Sequence, residues 1–312
     1  MEIKRVGLIG LGAMGVFFAP RLSETLGSGF FVIAEGARRE RLQRDGVHVN
    51  GIAYRFPVET PEGDAAPADL LIMAVKDYSL AKAIQDIRRF VGEKTQIILC
   101  VMNGVSSEEQ VAAVYGWEHV LYSYMRVSIE MIDGMASFNP VAGRVYFGEK
   151  SNDLAQPTER VAAIEAVFNR CGVPYRVLPD MLHGLWFKFL CNVGENLTCA
   201  LLGVPFGAFT CSDAANAIRV AAMKEVQALA AKKGILLTDA EIEKQNGSYA
   251  AFPFQNRPST LQDLERGRET EVELFAGYVV RESRAFGLEA PISWMFLQGI
   301  RVLEEKRQGK FS

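Results

Sequence analysis

Glycines near the N-terminus have the spacing of a phosphate-binding turn. The segment GLGAMG follows an apolar stretch, Arg5 to Ile9, and precedes a helical pattern. In such a turn the first glycine permits a tight bend, the second lets the backbone approach a pyrophosphate, and the third allows close helix–strand packing. The helix N-terminus adds amide donors. A glycine turn in an unrelated α/β unit is the alternative. We predict dinucleotide contacts from Gly10, Leu11, Gly12, Ala13, Met14 and Gly15.

A second group of polar residues lies in the apolar segment LWFKFLCNVGENL, residues 185–197. Lysine is rarely buried without a partner, yet Lys188 is surrounded in sequence by Trp186, Phe187 and other large apolar residues. In a helix, Lys188, Asn192 and Asn196 would share one face at four-residue steps. This polar ridge should face a cavity, another polar surface or water.

The overall composition is that of a globular protein with room for two domains. The chain has 312 residues, 49% hydrophobic and 23% charged, with a formal net charge of -3. That charge gives no general attraction to nucleic acid or anionic membranes, and no apolar run is long enough to span a bilayer. The N-terminus lacks the pattern of a secretory signal. We therefore expect a cytoplasmic protein with neither nucleic acid nor membrane as a partner.

The cysteines and histidines do not have metal-ligand spacing. The five cysteines contain no CxxC pair and lie in apolar surroundings, so buried free thiols are expected. The three histidines are far apart in sequence. For His183 we expect a capping or surface role in preference to acid–base catalysis. The sequence predicts no metal.

Apolar strands alternate with helical segments in the first half, as expected for a buried parallel sheet. The predicted strands are Phe30–Glu35, Asp69–Lys76 and Thr95–Gly104, with a helix from Ala81 to Phe90. Ligands bind beyond the carboxyl ends of such strands. Lys76 and Asn103 fall at two of these ends, so we predict that both contact the cofactor. An Asn-Gly pair that only closes a turn is the alternative.

Glu35 and the arginines after it have opposite implications for the cofactor. An acid at the end of the second strand accepts hydrogen bonds from the ribose hydroxyls of NAD and repels a 2'-phosphate. Arg38, Arg39 and Arg41 could instead pair with that phosphate. A solvated, charged helix start would explain the same residues. Glu35 and Arg38 are both predicted to contact the cofactor, and the choice between NADP and NAD stays open.

The strand pattern ends near Pro179 and gives way to helices. Residues Leu121–Glu149 predict antiparallel strands that complete the first sheet, with turns at Asp133-Gly134 and Ala142-Gly143. A helix from Leu154 to Arg170 and the strand PYRVLP follow. Five helical segments come next: Leu182–Leu202, Ser212–Lys233, Asp239–Tyr249, Thr260–Phe286 and Ile292–Lys306. We predict an α/β chain: a Rossmann-type dinucleotide-binding domain at 1–179 and an all-helical substrate-binding domain at 180–312.

Another concentration of polar residues occurs in NRPSTLQDLERGRETEVELF, where Glu271 lies inside a predicted helix. Ser259 could act simply as a helix N-cap, with Asp263 near the position of a capping-box acid. Glu271 could equally belong to a solvated helix face. Taken alone, neither residue indicates a function.

Six segments in order make the chain resemble the ketopantoate reductase (2-dehydropantoate 2-reductase) family over almost its whole length. They are GLGAMG, AVKDYS, VMNGVSSEEQ, LWFKFLCNVGENLTCALL, PSTLQDLERGRETEVELFAGYVV and GLEAPISW. The resemblance implies reduction of a 2-oxo acid by hydride transfer from NADP(H), most of all 2-dehydropantoate to pantoate in pantothenate biosynthesis. It makes Lys188 the general acid. It gives substrate contacts to Asn103, Asn192, Asn196, Ser259 and Glu271, and a cofactor contact to Lys76.

Two departures from the family pattern keep alternatives open. Members that use NADPH commonly carry arginine where this chain has Glu35, so NAD remains an alternative. The family's Asn-Pro-Leu-Thr run is Asn-Leu-Thr here, at 196–198, so another 2-oxo acid could be the substrate. A non-catalytic dinucleotide sensor is a further alternative, but it would not need Lys188 and the substrate residues together. The apolar C-terminal helices could support a homodimer.

Overall fold

The computed structural model describes residues 2–63, 66–93, 97–132, 134–249 and 253–311. Its internal contacts divide the chain into two compact units, Met1–Leu182 and His183–Ser312. The first unit contains all the strands assigned in the described residues, and the second is built from helices. The α/β fold class predicted from the sequence is confirmed. No helix among the described residues is long and apolar enough to cross a membrane.

The strands of the first unit form two sheets. The strands are β1 Val6–Ile9, β2 Phe30–Ile33, β3 Val47–Val49, β4 Ile52–Tyr54, β5 Val58–Glu59, β6 Leu70–Met73, β7 Ile97–Cys100, β8 Val120–Arg126, β9 Glu130–Ile132, β10 Met135–Ser137, β11 Arg144–Gly148 and β12 Tyr175–Arg176. The larger sheet has the order β12-β11-β8-β7-β6-β1-β2-β5 and the smaller one β4-β3-β10-β9. In the larger sheet the strands from β8 to β5 run parallel, whereas β11 runs antiparallel to β8.

Continuous apolar runs produce the centre of the larger sheet. The segments VGLI of β1, FFVI of β2 and LLIM of β6 are buried at every position. Strands covered on both faces need apolar residues at successive positions, because alternate side chains point to opposite faces. Separate apolar clusters accordingly lie on the two faces of this sheet.

The prediction for Leu121–Glu149 is correct only in part. Strands β8 and β11 pair with each other in the larger sheet, whereas β9 and β10 join the smaller one. There β10 pairs in parallel with β3, more than 80 positions earlier in the sequence. Alternating polarity indicates a strand but does not specify a partner at such a distance. The predicted turn residue Asp133 lies outside the described residues.

The first unit contains five α-helices in its described part: α1 Gly15–Leu26, α2 Gly36–Asp45, α3 Leu80–Asp86, α4 Ser107–Tyr115 and α5 Glu159–Arg170. The last begins five residues later than predicted. Its N-cap is Thr158, whose hydroxyl accepts a hydrogen bond from the Val161 amide at 3.4 Å. Proline at 157 and this cap fix the start, because the cap satisfies an amide that has no partner within the helix.

The chain after α5 is mainly helical in its described residues. Its α-helices are α6 Met181–Cys191, α7 Leu197–Leu202, α8 Asp213–Lys232, α9 Asp239–Ser248, α10 Ser259–Glu265, α11 Tyr278–Ala285 and α12 Pro291–Arg307. This described part of the chain also contains two π-helical turns. The first π turn, Asn192–Asn196, joins α6 to α7, and the second, Glu273–Gly277, leads into α11.

The predicted helix Thr260–Phe286 is wrong, because α10 ends at Glu265 and the chain becomes helical again only at Val272. Gly267 has φ +66°, a left-handed conformation that ends helices. The Arg268 guanidinium pairs with the Asp263 carboxylate at 2.7 Å across the break. Apolar residues lie at helical spacing on both sides of the polar run RGRETE, residues 266–271, so the periodicity concealed the interruption.

Candidate active site

Four predicted cofactor positions lie at one edge of the larger sheet. Gly10 follows β1, Glu35 lies two residues beyond β2, Lys76 lies three residues beyond β6, and Asn103 lies three residues beyond β7. These strands are parallel neighbours in the order β7-β6-β1-β2, so their carboxyl ends are adjacent. The predicted placement of these residues at strand ends is therefore confirmed.

The glycine-rich turn has the geometry that its sequence implies. Gly10 has φ +94°, and a Cβ there would lie 2.5 Å from the Ala74 carbonyl oxygen. At Gly15 a Cβ would lie 2.1 Å from the Gly10 oxygen. By contrast, no described protein atom lies within 4 Å of a Cβ built on Gly12. Packing does not require glycine at that position, whereas close approach of a pyrophosphate would. The turn therefore fits a dinucleotide.

Opposite charges lie beside this turn. Glu35 is the N-cap residue of α2, and its carboxylate is 2.5 Å from the Lys82 ammonium on α3. Lys82 also contacts Asp86, at 2.8 Å. The Arg38 guanidinium donates a hydrogen bond to the Leu11 carbonyl in the glycine-rich turn. The sequence did not reveal the role of Lys82, because nothing local links two residues that are 47 positions apart.

A buried acid that was not predicted from the sequence joins the first turn of α4 to β8, five residues after Asn103. Glu108, in the first turn of α4, is 1% exposed. The Ser107 hydroxyl and the Ser123 amide donate hydrogen bonds to its carboxyl oxygens at 2.8 and 3.2 Å. Burial raises the pKa of Glu108 to about 7, although these hydrogen bonds act in the opposite direction. An acid in the first turn of a helix is usually exposed, so the burial of Glu108 could not be predicted from its position.

The polar ridge begins on a helix whose central aromatic residues are buried. Trp186 and Phe189 are 3% and 1% exposed, whereas Lys188 and Asn192 are partly exposed. The Asn196 side-chain amide donates to the Asn192 oxygen at 3.3 Å. The predicted common face of the two asparagines is thus confirmed. The residues of the ridge come together because α6 continues into the first π turn without a break.

Ser259 and Glu271 lie on segments beside this ridge. Ser259 is the exposed first residue of α10, whose N-cap is Pro258, so the alternative that Ser259 caps the helix is wrong. Glu271 is half-buried and precedes the helix instead of lying inside it, and its carbonyl accepts from the Phe275 amide at 3.1 Å. Both α10 and the second π turn pack against the first π turn. The second unit therefore brings these segments together.

His183 contacts side chains that stabilise neighbouring helices. Its Nε2 lies 2.9 Å from the Glu241 carboxylate, and its ring stacks on Phe187. Glu241 completes a capping box with Thr238 at the start of α9. This pairing agrees with the expected capping or surface role. Among the residues that the structure describes, no group of three or more His, Cys, Asp or Glu side chains could hold a metal ion.

The cysteines are all free thiols. Four are buried, whereas Cys211 is exposed, which corrects the expectation that all five are buried. Cys211 follows a short 3-10 helix, Phe206–Thr210, whose turn brings it to the surface. Burial raises the pKa of Cys199 to about 12, so this thiol stays protonated.

The first unit thus has a sheet edge suited to a dinucleotide, and the second unit has a lysine–asparagine ridge. The family model "Ketopantoate reductase PanE/ApbA" matches residues 6–152, and the model of the C-terminal part of the same family matches residues 180–304. The chain belongs to the ketopantoate reductase family, and the resemblance seen in its motifs is confirmed. This family comprises nicotinamide-dependent reductases of 2-oxo acids.

Individual relatives match the chain from end to end at low identity. A 2-dehydropantoate 2-reductase of Archaeoglobus fulgidus is 25% identical over 308 residues, which cover 97% of this chain and 99% of the relative. The uncharacterized oxidoreductase YkpB of Bacillus subtilis is 23% identical over 304 residues, or 96% of this chain and 99% of the relative.

Solved structures show the same fold. D-mandelate dehydrogenase in a ternary structure with NADH and anilino(oxo)acetate has a TM-score of 0.84 at 19% identity, with 97% of this chain and 99% of that chain covered. A PanE/ApbA family ketopantoate reductase from Ralstonia eutropha has a TM-score of 0.81 at 23% identity and the same coverage.

Proposed function

We propose that this protein reduces a 2-oxo acid, with 2-dehydropantoate as the first candidate, and that Lys188 is the general acid. The observation that carries this proposal is the position of Lys188. It is partly exposed beside the buried Trp186 and Phe189, on the helix that leads into the turn whose asparagines are joined by a hydrogen bond. When bound, the reduced nicotinamide supplies the hydride.

The chemistry assigned to Lys188 is proton donation. Hydride addition to a ketone leaves an alkoxide, which a nearby ammonium stabilises and protonates. Asn192 and Asn196 carry amides that can donate to the oxygens of the substrate and orient the lysine. Following the family pattern, we assign Ser259 to the substrate carboxylate, Glu271 to the hydroxyl of 2-dehydropantoate, and Asn103 to substrate and cofactor.

We further propose NADP(H) as the preferred cofactor. The acid that would repel a 2'-phosphate, Glu35, is neutralised in part by Lys82. Arg38 is held at the glycine-rich turn, and Arg39 and Arg41 follow on the exposed face of α2. Positive charge therefore predominates beside the turn, which favours the additional phosphate. D-mandelate dehydrogenase binds NADH in its solved structures, so NADH is the alternative that has to be tested.

The test is a cofactor-oxidation assay with NADPH and NADH separately. The substrates are 2-dehydropantoate, its analogue without the hydroxyl, and an aromatic 2-oxo acid. The highest kcat/KM is expected for 2-dehydropantoate with NADPH. A preference for another 2-oxo acid would change the substrate assignment. Tight binding of NADPH without reduction of any 2-oxo acid would favour the dinucleotide sensor.

The Lys188→Ala variant tests the general acid directly. General acid catalysis contributes about 10²–10⁴-fold, so kcat should fall by at least about 100-fold. The dissociation constant for NADPH and the melting temperature should stay near those of the wild type. A lysine that only covers apolar surface would give the reverse pattern, with lower stability and normal turnover. Near-normal kcat in the folded variant would refute the assignment.

A homodimer is also proposed. Three large apolar residues of α12, Trp294, Met295 and Val302, are each about half exposed, at 50–52%. A related ketopantoate reductase from Staphylococcus aureus is dimeric. Light scattering after size-exclusion chromatography should give a dimer for the wild type. A monomeric mass at micromolar concentration would exclude it.

A further inference from the structure

A cluster of buried polar and charged side chains, Glu195, Arg219 and Tyr249, adjoins the first π turn. Glu195, Arg219 and Tyr249 are 6%, 0% and 4% exposed. The Gln245 amide donates to the Glu195 carboxylate at 2.8 Å, and the Arg219 Nη1 donates to the Tyr249 hydroxyl at 3.1 Å. Burial and then the Glu195 charge raise the pKa of Tyr249, whose hydroxyl also hydrogen bonds with Glu195. Tyr249 thereby links the carboxylate to the guanidinium.

Such a cluster is costly to bury. Removing a carboxylate and a guanidinium from water requires several kcal/mol per ion, and well-packed apolar residues are often at least as stabilising. The chain nevertheless packs the Arg219 guanidinium against the rings of Phe209 and Tyr249. The Nη2 of this guanidinium is buried without a hydrogen-bond partner, which adds to the cost of burying the charge. Stability alone therefore gives no reason for these charges.

The cluster is joined directly to the turn that carries the asparagines. Glu195 itself lies between Asn192 and Asn196 in the turn. Helix α8 packs on the backbone beside it, because a Cβ on Gly194 would lie 2.5 Å from Met223 Cγ and 3.0 Å from the Arg219 carbonyl oxygen. The turn is thus packed against α8 and is joined to α9 by the hydrogen bond from Gln245.

The π conformation affects how the two asparagines point. In an α-helix, residues four apart are rotated by about 40° relative to each other, since successive residues turn by about 100°. The wider i→i+5 turn reduces this rotation. The amides of Asn192 and Asn196 are accordingly close enough to hydrogen bond at 3.3 Å.

We infer that Glu195, Arg219 and Tyr249 are positioning residues that hold the first π turn and so set the direction of the Asn192 and Asn196 amides. The inference rests on the proposed function, since those amides are assigned to a 2-oxo acid. The three residues do not touch the substrate in this assignment. They act through the backbone of the turn.

The Tyr249→Phe variant removes the hydroxyl that connects Glu195 with Arg219 and keeps the ring. Loss of a buried hydrogen-bond partner should lower kcat/KM for the 2-oxo acid by about tenfold or more, mainly through KM. The dissociation constant for NADPH should not change, because its proposed contacts are in the first unit. The matched control is Tyr175→Phe, which also removes a hydrogen-bonded hydroxyl, the partner of Asn169, but in the first unit. It should show wild-type kinetics.

Hydrogen exchange of the peptide containing residues 192–196 provides a readout that is independent of turnover. Faster exchange there in Tyr249→Phe, and not in Tyr175→Phe, is expected. Wild-type exchange and wild-type kcat/KM in Tyr249→Phe would overturn the inference. An inactive wild type with the expected change in exchange would instead reject the proposed function and leave the support of the turn established.

A paired replacement separates positioning from stability. Glu195→Leu with Arg219→Leu removes both buried charges, so the melting temperature should stay near that of the wild type or rise. Activity with the 2-oxo acid should nevertheless fall at least as far as in Tyr249→Phe. Full activity in this folded double variant would show that the cluster has no positioning role.

Discussion

Replacement of Glu108 by glutamine should change the pH dependence of stability. The carboxyl has a folded pKa of about 7 against an ordinary value of 4.5. Between these values the folded state binds more protons than the unfolded state, so stability falls as pH rises. The contribution of Glu108 is complete below pH 4.5 and is lost by about pH 7. Glutamine resembles the neutral acid and keeps an oxygen for the Ser123 amide.

The magnitude follows from the two pKa values. At about 1.4 kcal/mol per pKa unit, the change from 4.5 to about 7 corresponds to about 3 kcal/mol. This is a large share of the 5–15 kcal/mol typical of folded proteins. Relative to the wild type, Glu108→Gln should therefore gain about 3 kcal/mol in free energy of unfolding between pH 4.5 and pH 8.

Urea unfolding at several pH values between 4.5 and 8 measures this difference. The matched control is Glu109→Gln, the same substitution at the next residue, which is exposed. The control should follow the pH dependence of the wild type. If the curves of Glu108→Gln and the wild type run parallel, Glu108 is ionised in the folded protein across this range. That result would refute a raised pKa for the buried carboxyl.

Three further predictions concern the proposed site. Gly15→Ala should weaken NADPH binding at least about tenfold by titration, since the new Cβ meets the Gly10 oxygen at 2.1 Å. Lys82→Met should lower the ratio of kcat/KM for NADPH to that for NADH, because Glu35 loses its cation, and Lys82→Arg should preserve the ratio. Glu271→Ala should reduce kcat/KM for 2-dehydropantoate more than for its analogue without the hydroxyl, by about 1–3 kcal/mol. An equal effect on NADPH and NADH would contradict the prediction for Lys82. An equal effect on 2-dehydropantoate and its analogue would contradict the prediction for Glu271.

The nucleotide-binding edge could be predicted from the sequence because its signals are local. The turn at Gly10–Gly15 and the apolar strands each fit within a few residues, and parallel strands must end at one edge. Lys82 could not be found in this way, since its partner Glu35 comes from another element. The same holds for β10, whose pairing with β3 depends on the folded chain.

The helical part shows the limits of periodicity more clearly. Four-residue spacing correctly placed Asn192 and Asn196 on one face. The same method missed the break at Gly267, because apolar residues continue on both sides of it. It also missed Arg219, which appears in sequence as an ordinary charge within α8. A fully buried arginine can be recognised only when its partners, such as Tyr249, are in place.

The two π turns also bear on how this chain can change in length. Inserting or deleting one residue in a buried helix rotates everything after it by about 100° and moves the apolar face out of the core. A π turn is the local exception, since it accommodates one additional residue while the flanking α-helices keep their orientation. Residues 192–196, which have an α-helix on each side, are therefore the place where a single-residue gap between homologues is expected, whereas the second π turn, residues 273–277, stands at the start of its helix. Lineages that lost a residue from the first turn would keep the packing of α7 and lose the alignment of the side chains within the turn.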